Sequence, residues 1–257
     1  MRHILRRQDA GYDVFVKNDG TDYWRLVKAC IDENIDQAEL IRNHPAMPQF
    51  RIDCGGREIL LTPLVYTNPK RMVFKMDYDG RSFVLKRARM GSPGFKRFLP
   101  WMMGLTYFTR IMKKVNAATR AGCAVTQDFY LVAEKWLAPF RQEVWVLIQY
   151  LEGDLLLHAP DYTVHLDALR ATASELLRHG LTMDDLTLGN FLLHENSVGA
   201  IDISCRPFTR LQSMKMTLKL NSRYGLNLPV TGLANRTVHG LLSLRYRIRR
   251  ALGGKVE

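Results

Sequence analysis

Apolar positions change their period along this chain near residue 150. Between Arg57 and Leu151 they fall in short runs rich in β-branched residues: "EILLTPLVY", "RMVFKMDY", "SFVLKRA", "FYLVAEKW" (Phe129–Trp136) and "EVWVLIQYL" (Glu143–Leu151). Each predicts a strand. Asp79-Gly80 separates the second run from the third, and that dipeptide predicts a tight hairpin. At Glu152-Gly153 the character changes. From Thr163 to Arg178, Leu166, Leu169, Ala173, Leu176 and Leu177 share one helical face, while Asp167, Arg170, Ser174 and Arg178 share another. Gly180 is a helix stop. "NFLLHENSVGAIDIS" predicts a strand, a turn at Glu195–Ser197 and a second strand. From about Thr209 the pattern is helical again, interrupted by "YGLNLPVTGLAN".

Upstream, "DYWRLVKACIDENI" predicts a short helix, and Gly91 to Thr119 forms a basic, Met-rich segment that is helical in part. The first ~50 residues hold no motif. The order of elements predicts an α+β chain of two lobes. Residues 51–150 form the strand-rich lobe and residues 151–257 the mainly helical one, within a single domain. Residues 1–50 are an extension.

Polar residues within "HGLTMDDLTLGNFLLHENSVGAIDIS" (His179–Ser204) carry the candidate chemistry. Asp185 and Asn190 stand five residues apart, ahead of a strand. Asp202 ends the next strand, so the predicted hairpin brings Asn190 and Asp202 together. Two oxygen ligands at one point suit Mg²⁺. Asp185 is placed to accept a proton from a hydroxyl. This is the D-x-x-x-x-N … D layout of protein-kinase-like sites. The five-residue step singles out Asp185 rather than Asp184 as the base. Upstream, "FVLK" ends in Lys86 and resembles the strand whose lysine pairs with nucleotide phosphates. Glu143 to Gly153 resembles the hinge that meets adenine through backbone groups, with Gln149 and Leu151 as the cofactor-binding positions.

Composition narrows the classes. The chain has 257 residues, 47% hydrophobic and 24% charged, as a globular protein with a substantial core has. No unbroken apolar stretch approaches the roughly 18 residues of a membrane span. The basic start "MRHILRRQDAG" is followed by no apolar h-region, which predicts no secretion signal. Cys30, Cys54, Cys123 and Cys205 lack metal-ligand spacing and read as reduced, idle cytosolic thiols. The net charge of +12 fits a polyanionic partner. No helix-turn-helix, zinc-finger or RNA-binding signature accompanies it, so nucleic acid is not the expected one.

With "DYDGRSFVLK", "DFYLVAEK", "IQYLEG" and "HGLTMDDLTLGNFLL…AIDIS" in this order, continuing weakly through "RYGLN", the chain resembles the bacterial lipopolysaccharide core heptose(II) kinases from about Met72 to Pro229. The resemblance implies a protein-kinase-like fold. It also implies ATP- and Mg²⁺-dependent phosphorylation of an inner-core heptose, heptose II, at the cytoplasmic face of the inner membrane. Carried over by position, Lys86 binds phosphate, Asp185 is the base, and Asn190 and Asp202 hold the metal. A basic protein would be drawn to such an anionic surface. Two segments could contact it: Phe95–Lys114, which also reads as a helix packed on the sheet, and "LLSLRYRIRRALGGK" at the C-terminus.

Three features depart from the kinase pattern. No G-x-G-x-x-G precedes Lys86, and the corresponding turn is "TNPKR" (Thr67–Arg71). No Asp or Glu lies between Lys86 and Asp128, and Thr109 stands about where the paired glutamate is expected. No A-P-E segment follows Asp202-Ile203-Ser204, which argues against protein substrates. Three alternatives stay open: a small-molecule phosphotransferase of the aminoglycoside-kinase type, whose pocket should be acidic; a non-catalytic kinase-like member; and a basic binding module that ignores ATP.

Overall fold

The computed structural model describes residues 4–33, 35, 49–68, 71–89, 107–137, 140–195, 197–205, 209–230, 236–237, 240–241 and 243–244. The chain divides into two compact units. The first comprises Met1–Asn116 with Asp128–Tyr150, and the second Ala117–Gln127 with Leu151–Glu257. The α+β order read from the sequence is the one observed, a large sheet first and a mainly helical part after. Residues 117–127, which precede the expected crossover, go with the second unit.

The first unit is built on an eight-stranded antiparallel sheet. Its strands are β1 (Ile4–Asp9), β2 (Tyr12–Lys17), β3 (Phe50–Asp53), β4 (Glu58–Asn68), β5 (Arg71–Tyr78), β6 (Arg81–Arg89), β7 (Phe129–Leu137) and β8 (Phe140–Gln149), in the order β1-β2-β7-β8-β6-β5-β4-β3. Tyr78 pairs with Arg81, and Asp79 and Gly80 have φ of 52° and 73°. Two positive φ values in a two-residue loop are the turn that suits strand twist. Period-2 alternation puts Phe83, Leu85, Leu131, Ala133, Trp145 and Leu147 on one face. Helix α1 (Tyr23–Asp32) shares that core through Tyr23, Trp24, Leu26, Val27 and Cys30. Each such side chain contributes about 1.5–3 kcal/mol by leaving water. Asp22 caps α1 by accepting from the Arg25 N–H at 3.3 Å.

The N-terminal residues thus belong to the sheet. β2 pairs with β7 from Tyr12↔Lys135 to Val16↔Leu131, and β1 forms the outer edge. The edge is exposed and basic, which discourages pairing with another chain.

Helix α2 (Tyr107–Arg120) follows. Asn116 fixes it to β7: its side-chain amide donates to the Phe129 carbonyl at 3.0 Å, and its oxygen accepts from the Phe129 N–H at 3.2 Å. Ile111, Met112, Val115 and Ala118 are buried. Ile111 and Met112 thus take a core role at the end of the Phe95–Lys114 segment, whose residues 95–106 lie outside the described residues. Residues 69–70 of the "TNPKR" turn and most of the C-terminal basic stretch lie outside them too. Among the described residues, no helix is long and apolar enough to cross a membrane.

In the second unit, β9 (Asp154–Leu155), β10 (Phe191–His194) and β11 (Ser197–Ala200) form a small antiparallel sheet in the order β11-β10-β9. Helices α3 (Leu166–Arg178) and α4 (Thr209–Tyr224) accompany it. α3 ends as Gly180 requires. With φ of 66°, Gly180 donates to the Leu177 carbonyl at 3.1 Å, and Leu181 donates to Leu176 at 2.9 Å. The buried face of α3 is Leu169, Thr172, Ala173 and Leu176. Thr172 was not expected there. Its hydroxyl is satisfied by the Val198 carbonyl at 2.5 Å, which ties α3 to β11.

Candidate active site

In the second unit the polar cluster is built on a rigid hairpin. Phe191 pairs with Ala200, and one step outward Ile201 donates its N–H to the Asn190 carbonyl at 2.9 Å. The open end of the β10–β11 hairpin therefore sets Asn190 beside the chain that enters Asp202, as the sequence predicted. A single 3₁₀ turn, Leu188–Asn190, delivers Asn190 to the strand. The Asn190 side-chain amide donates to the Asp185 carbonyl at 3.1 Å. Asn190 is thus tied to the loop that carries Asp185, and its oxygen is left facing away from that bond.

The loop itself is anchored by the buried residues on either side of Asp184 and Asp185. Leu181, Met183 and Leu186 are buried, Asp184 is half-buried and Asp185 is exposed. The Tyr224 hydroxyl, at the end of α4, donates to the Leu186 carbonyl at 2.8 Å. Burial raises the Tyr224 hydroxyl pKa and the nearby Arg223 lowers it, while Tyr162 and the Asp185 charge raise it further. Tyr224 is therefore a neighbour of Asp185 and a brace for its loop. "RYGLN" was the only sequence trace of it, and nothing in spacing linked the two residues.

Asp202 has φ of 62° and is exposed. A non-glycine residue in the left-handed region costs roughly 1–2 kcal/mol, least for Asn and Asp. Just beyond it the chain is clamped: Ser204 and Cys205 both donate N–H groups to the Thr182 carbonyl, at 3.0 and 3.2 Å. Such a conformation persists only where the surrounding bonds hold it. Behind β11, Ala200 donates to the Val125 carbonyl at 2.7 Å, and Thr126 forms a parallel bridge with Ala200. Leu151 lies beyond β8, with its Cδ1 3.4 Å from where a Cβ on Gly199 would sit.

Lys86 belongs to the first unit. It is half-buried on β6, opposite Val73 and Val146. Its face is the one away from Leu85. The wholly buried Glu134 lies on that same face, since Val146 pairs with Val132 and Val144 with Glu134. Glu134 lies beyond the stretch between Lys86 and Asp128 that holds no acidic residue, and strand pairing, not sequence distance, decides which residues share a face. Thr109 is buried on α2. The Gln149 N–H donates to the Asp128 carbonyl at 2.8 Å, and its side-chain oxygen accepts from the Asp128 N–H at 3.3 Å. Asp128 is paired in turn with Lys17, whose ammonium also lies over the Tyr130 ring.

The family profile described as "Lipopolysaccharide core biosynthesis protein (WaaY)" matches residues 3–254. The chain belongs to the WaaY family. Two relatives are lipopolysaccharide core heptose(II) kinases WaaY of Escherichia coli. The one from strain K12 is 27% identical over 187 residues, covering 71% of this chain and 79% of its own. The other is 22% identical over 217 residues, covering 84% of each. The WaaY match extends well beyond the Met72–Pro229 stretch that carried the resemblance. Among solved structures, WaaP in complex with acyl carrier protein aligns at a TM-score of 0.41 and 16% identity, over 74% of this chain and 83% of that one. The BubR1 kinase domain aligns at 0.42 and 12%, over 61% and 49%.

Proposed function

We propose that this WaaY-family chain transfers the terminal phosphoryl group of ATP to a heptose hydroxyl, that of heptose II, in the lipopolysaccharide inner core. At the coarser level the chain is a phosphotransferase with a sugar hydroxyl as acceptor, working in core biosynthesis. The observation that supports the finer reading is the open end of the β10–β11 hairpin, where Ile201, the residue before the left-handed Asp202, is bonded to Asn190, and Asn190 is bonded to the Asp185 loop.

Asp185 is exposed at the tip of an anchored loop and takes the role of base toward the acceptor hydroxyl. Asn190 and Asp202 offer one amide oxygen and one carboxylate, a hard-oxygen donor set that fits Mg²⁺. Bound there, the ion would neutralise charge on the phosphates. Lys86 takes the phosphate-binding role. The Gln149 N–H is already bonded to Asp128, so the backbone of Leu151 is the better placed group for the base of the nucleotide. The charge of +12 supports an acceptor that is itself anionic, and peripheral attachment at the cytoplasmic face of the inner membrane. The same charge speaks against the acidic pocket expected of an aminoglycoside-kinase type.

The test is transfer of labelled phosphate from ATP to purified core lipopolysaccharide lacking the heptose II phosphate, with fully phosphorylated core as control. Incorporation into the first and not the second is expected. Equal labelling of both would remove the heptose II assignment, and no labelling of either would remove the finer reading altogether.

A further inference from the structure

The sequence showed no metal-ligand spacing around any cysteine, yet folding gathers Cys123, Glu175 and His179 in the second unit. Their Sγ, carboxylate oxygen and ring nitrogen all lie within 4.8 Å of one another. Glu175 and His179 are one turn apart on α3, so both point to the same side of the helix. Cys123 reaches them from the turn after α2. Gly122 (φ 92°) allows that turn, and the Cys123 N–H is bonded to the Ala118 carbonyl at 3.0 Å.

We propose that Cys123, Glu175 and His179 form a binding site for a zinc-class divalent ion, separate from the Asn190/Asp202 pair. The donor set is right in kind: one sulfur, one imidazole nitrogen and one carboxylate, which suit zinc and leave a fourth position for water. It is right in charge, since a thiolate and a carboxylate balance a divalent ion. It is right in place, since His179 caps the C-terminus of α3, where a cation is favoured by the helix dipole.

Donor atoms around zinc stand about 3.5 Å apart, so the cluster needs only side-chain rotation to close. The His179 ring already lies 3.0 Å from Glu175 Oε1, and the Arg178 guanidinium reaches the same oxygen at 2.6 Å. The ion takes the place of these two contacts. As a ligand, Cys123 acts as a thiolate, so binding releases its thiol proton to solvent.

The site would brace the active-site strand. Cys123 is two residues before Val125, whose carbonyl holds Ala200, itself two residues before Asp202. An ion would clamp the 121–127 segment to α3 and so steady β11 from behind.

The test is titration of the full chain with Co²⁺ in excess Mg²⁺, read by near-ultraviolet sulfur-to-cobalt absorption. A single bound ion per chain with that band is expected, displaced by Zn²⁺. Cys123→Ser should abolish the band, while Cys205→Ser keeps it. Glu175→Gln and His179→Gln, on the partly exposed side of the cluster, should each weaken binding by more than about tenfold. The proposal is overturned if the natural chain shows no such band, if the band survives Cys123→Ser, or if Glu175→Gln and His179→Gln leave affinity unchanged. Those last two variants decide the matter if Cys123→Ser does not fold.

Discussion

The Asn190 side chain donates to the Asp185 backbone carbonyl at 3.1 Å, which joins two residues the sequence had paired only by their spacing. The bond uses the Asn190 NH₂ group and orients its oxygen, and it fixes the backbone of Asp185 while the carboxylate stays exposed. Asp185→Asn should therefore fold like the natural chain and lose phosphoryl transfer by about 10²–10⁴-fold, the scale of a lost general base. Circular dichroism and a labelled-ATP assay check both halves. Near-natural turnover would remove Asp185 from the base role.

Asp202 sits in the left-handed region, so the informative substitution is Asp202→Asn, which the backbone tolerates. Thermal unfolding with ATP and Mg²⁺ should stabilise the natural chain, by about 2.7 kcal/mol when ligand is at a hundred times its Kd. The variant should fold but respond little. An equal response from both would place the metal elsewhere.

Gly153 has φ of 137°, and a Cβ there would lie 2.5 Å from the Leu193 carbonyl oxygen. Neither the backbone of β10 nor its pairing with β9 can yield cheaply. Gly153→Ala should cost about 1–3 kcal/mol in urea unfolding. Gly199→Ala meets the end of the Leu151 side chain at 3.4 Å and the Val125 carbonyl oxygen at 4.0 Å, both ordinary contacts, and should cost clearly less.

Tyr224→Phe keeps the ring and removes the bond to Leu186. The expected loss of stability is about 1 kcal/mol. Turnover should fall while the KM for ATP holds, because Tyr224 braces the Asp185 loop and is not a nucleotide contact. A rise in the ATP KM at unchanged turnover would contradict that role.

Arg87 and Glu143 form a nearly buried pair in the first unit, 2.5 Å apart with 8% and 13% of their side chains exposed. The Tyr12 hydroxyl donates to the other Glu143 oxygen at 2.5 Å. Burial alone would raise the Glu143 carboxyl, but the bonds from Tyr12 and Arg87 outweigh it and hold the carboxyl below its ordinary 4.5. A carboxyl depressed by folding contributes its full stability above its unfolded pKa and loses it as pH falls through the folded one. The contribution of this pair should thus be constant above about pH 5 and fall away below it. Glu143→Gln should flatten part of that fall. Arg87→Met leaves the carboxylate to the Tyr12 hydroxyl and to Arg89 at 3.6 Å, so it should cost less than the roughly 3–5 kcal/mol of a buried charge left wholly unpaired.

The sequence by itself determined the elements whose physics is local. Alternation in "RMVFKMDY" and "SFVLKRA" specified strands, Asp79-Gly80 supplied the positive φ values of their turn, and Gly180 supplied the stop of α3. The five-residue step from Asp185 to Asn190, and the hairpin that follows, also survive folding because a hairpin's register is fixed by its own turn. Tertiary structure decided whatever depends on pairing between distant segments. It joined β2 to β7, so that residues with no motif complete the sheet, and it placed Glu134 on the Lys86 face. It bonded Tyr224 to Leu186, 38 residues away. It also brought Cys123 to a helix turn bearing Glu175 and His179. No period or spacing encodes such contacts, because they follow from which faces pack and not from which residues are neighbours along the chain.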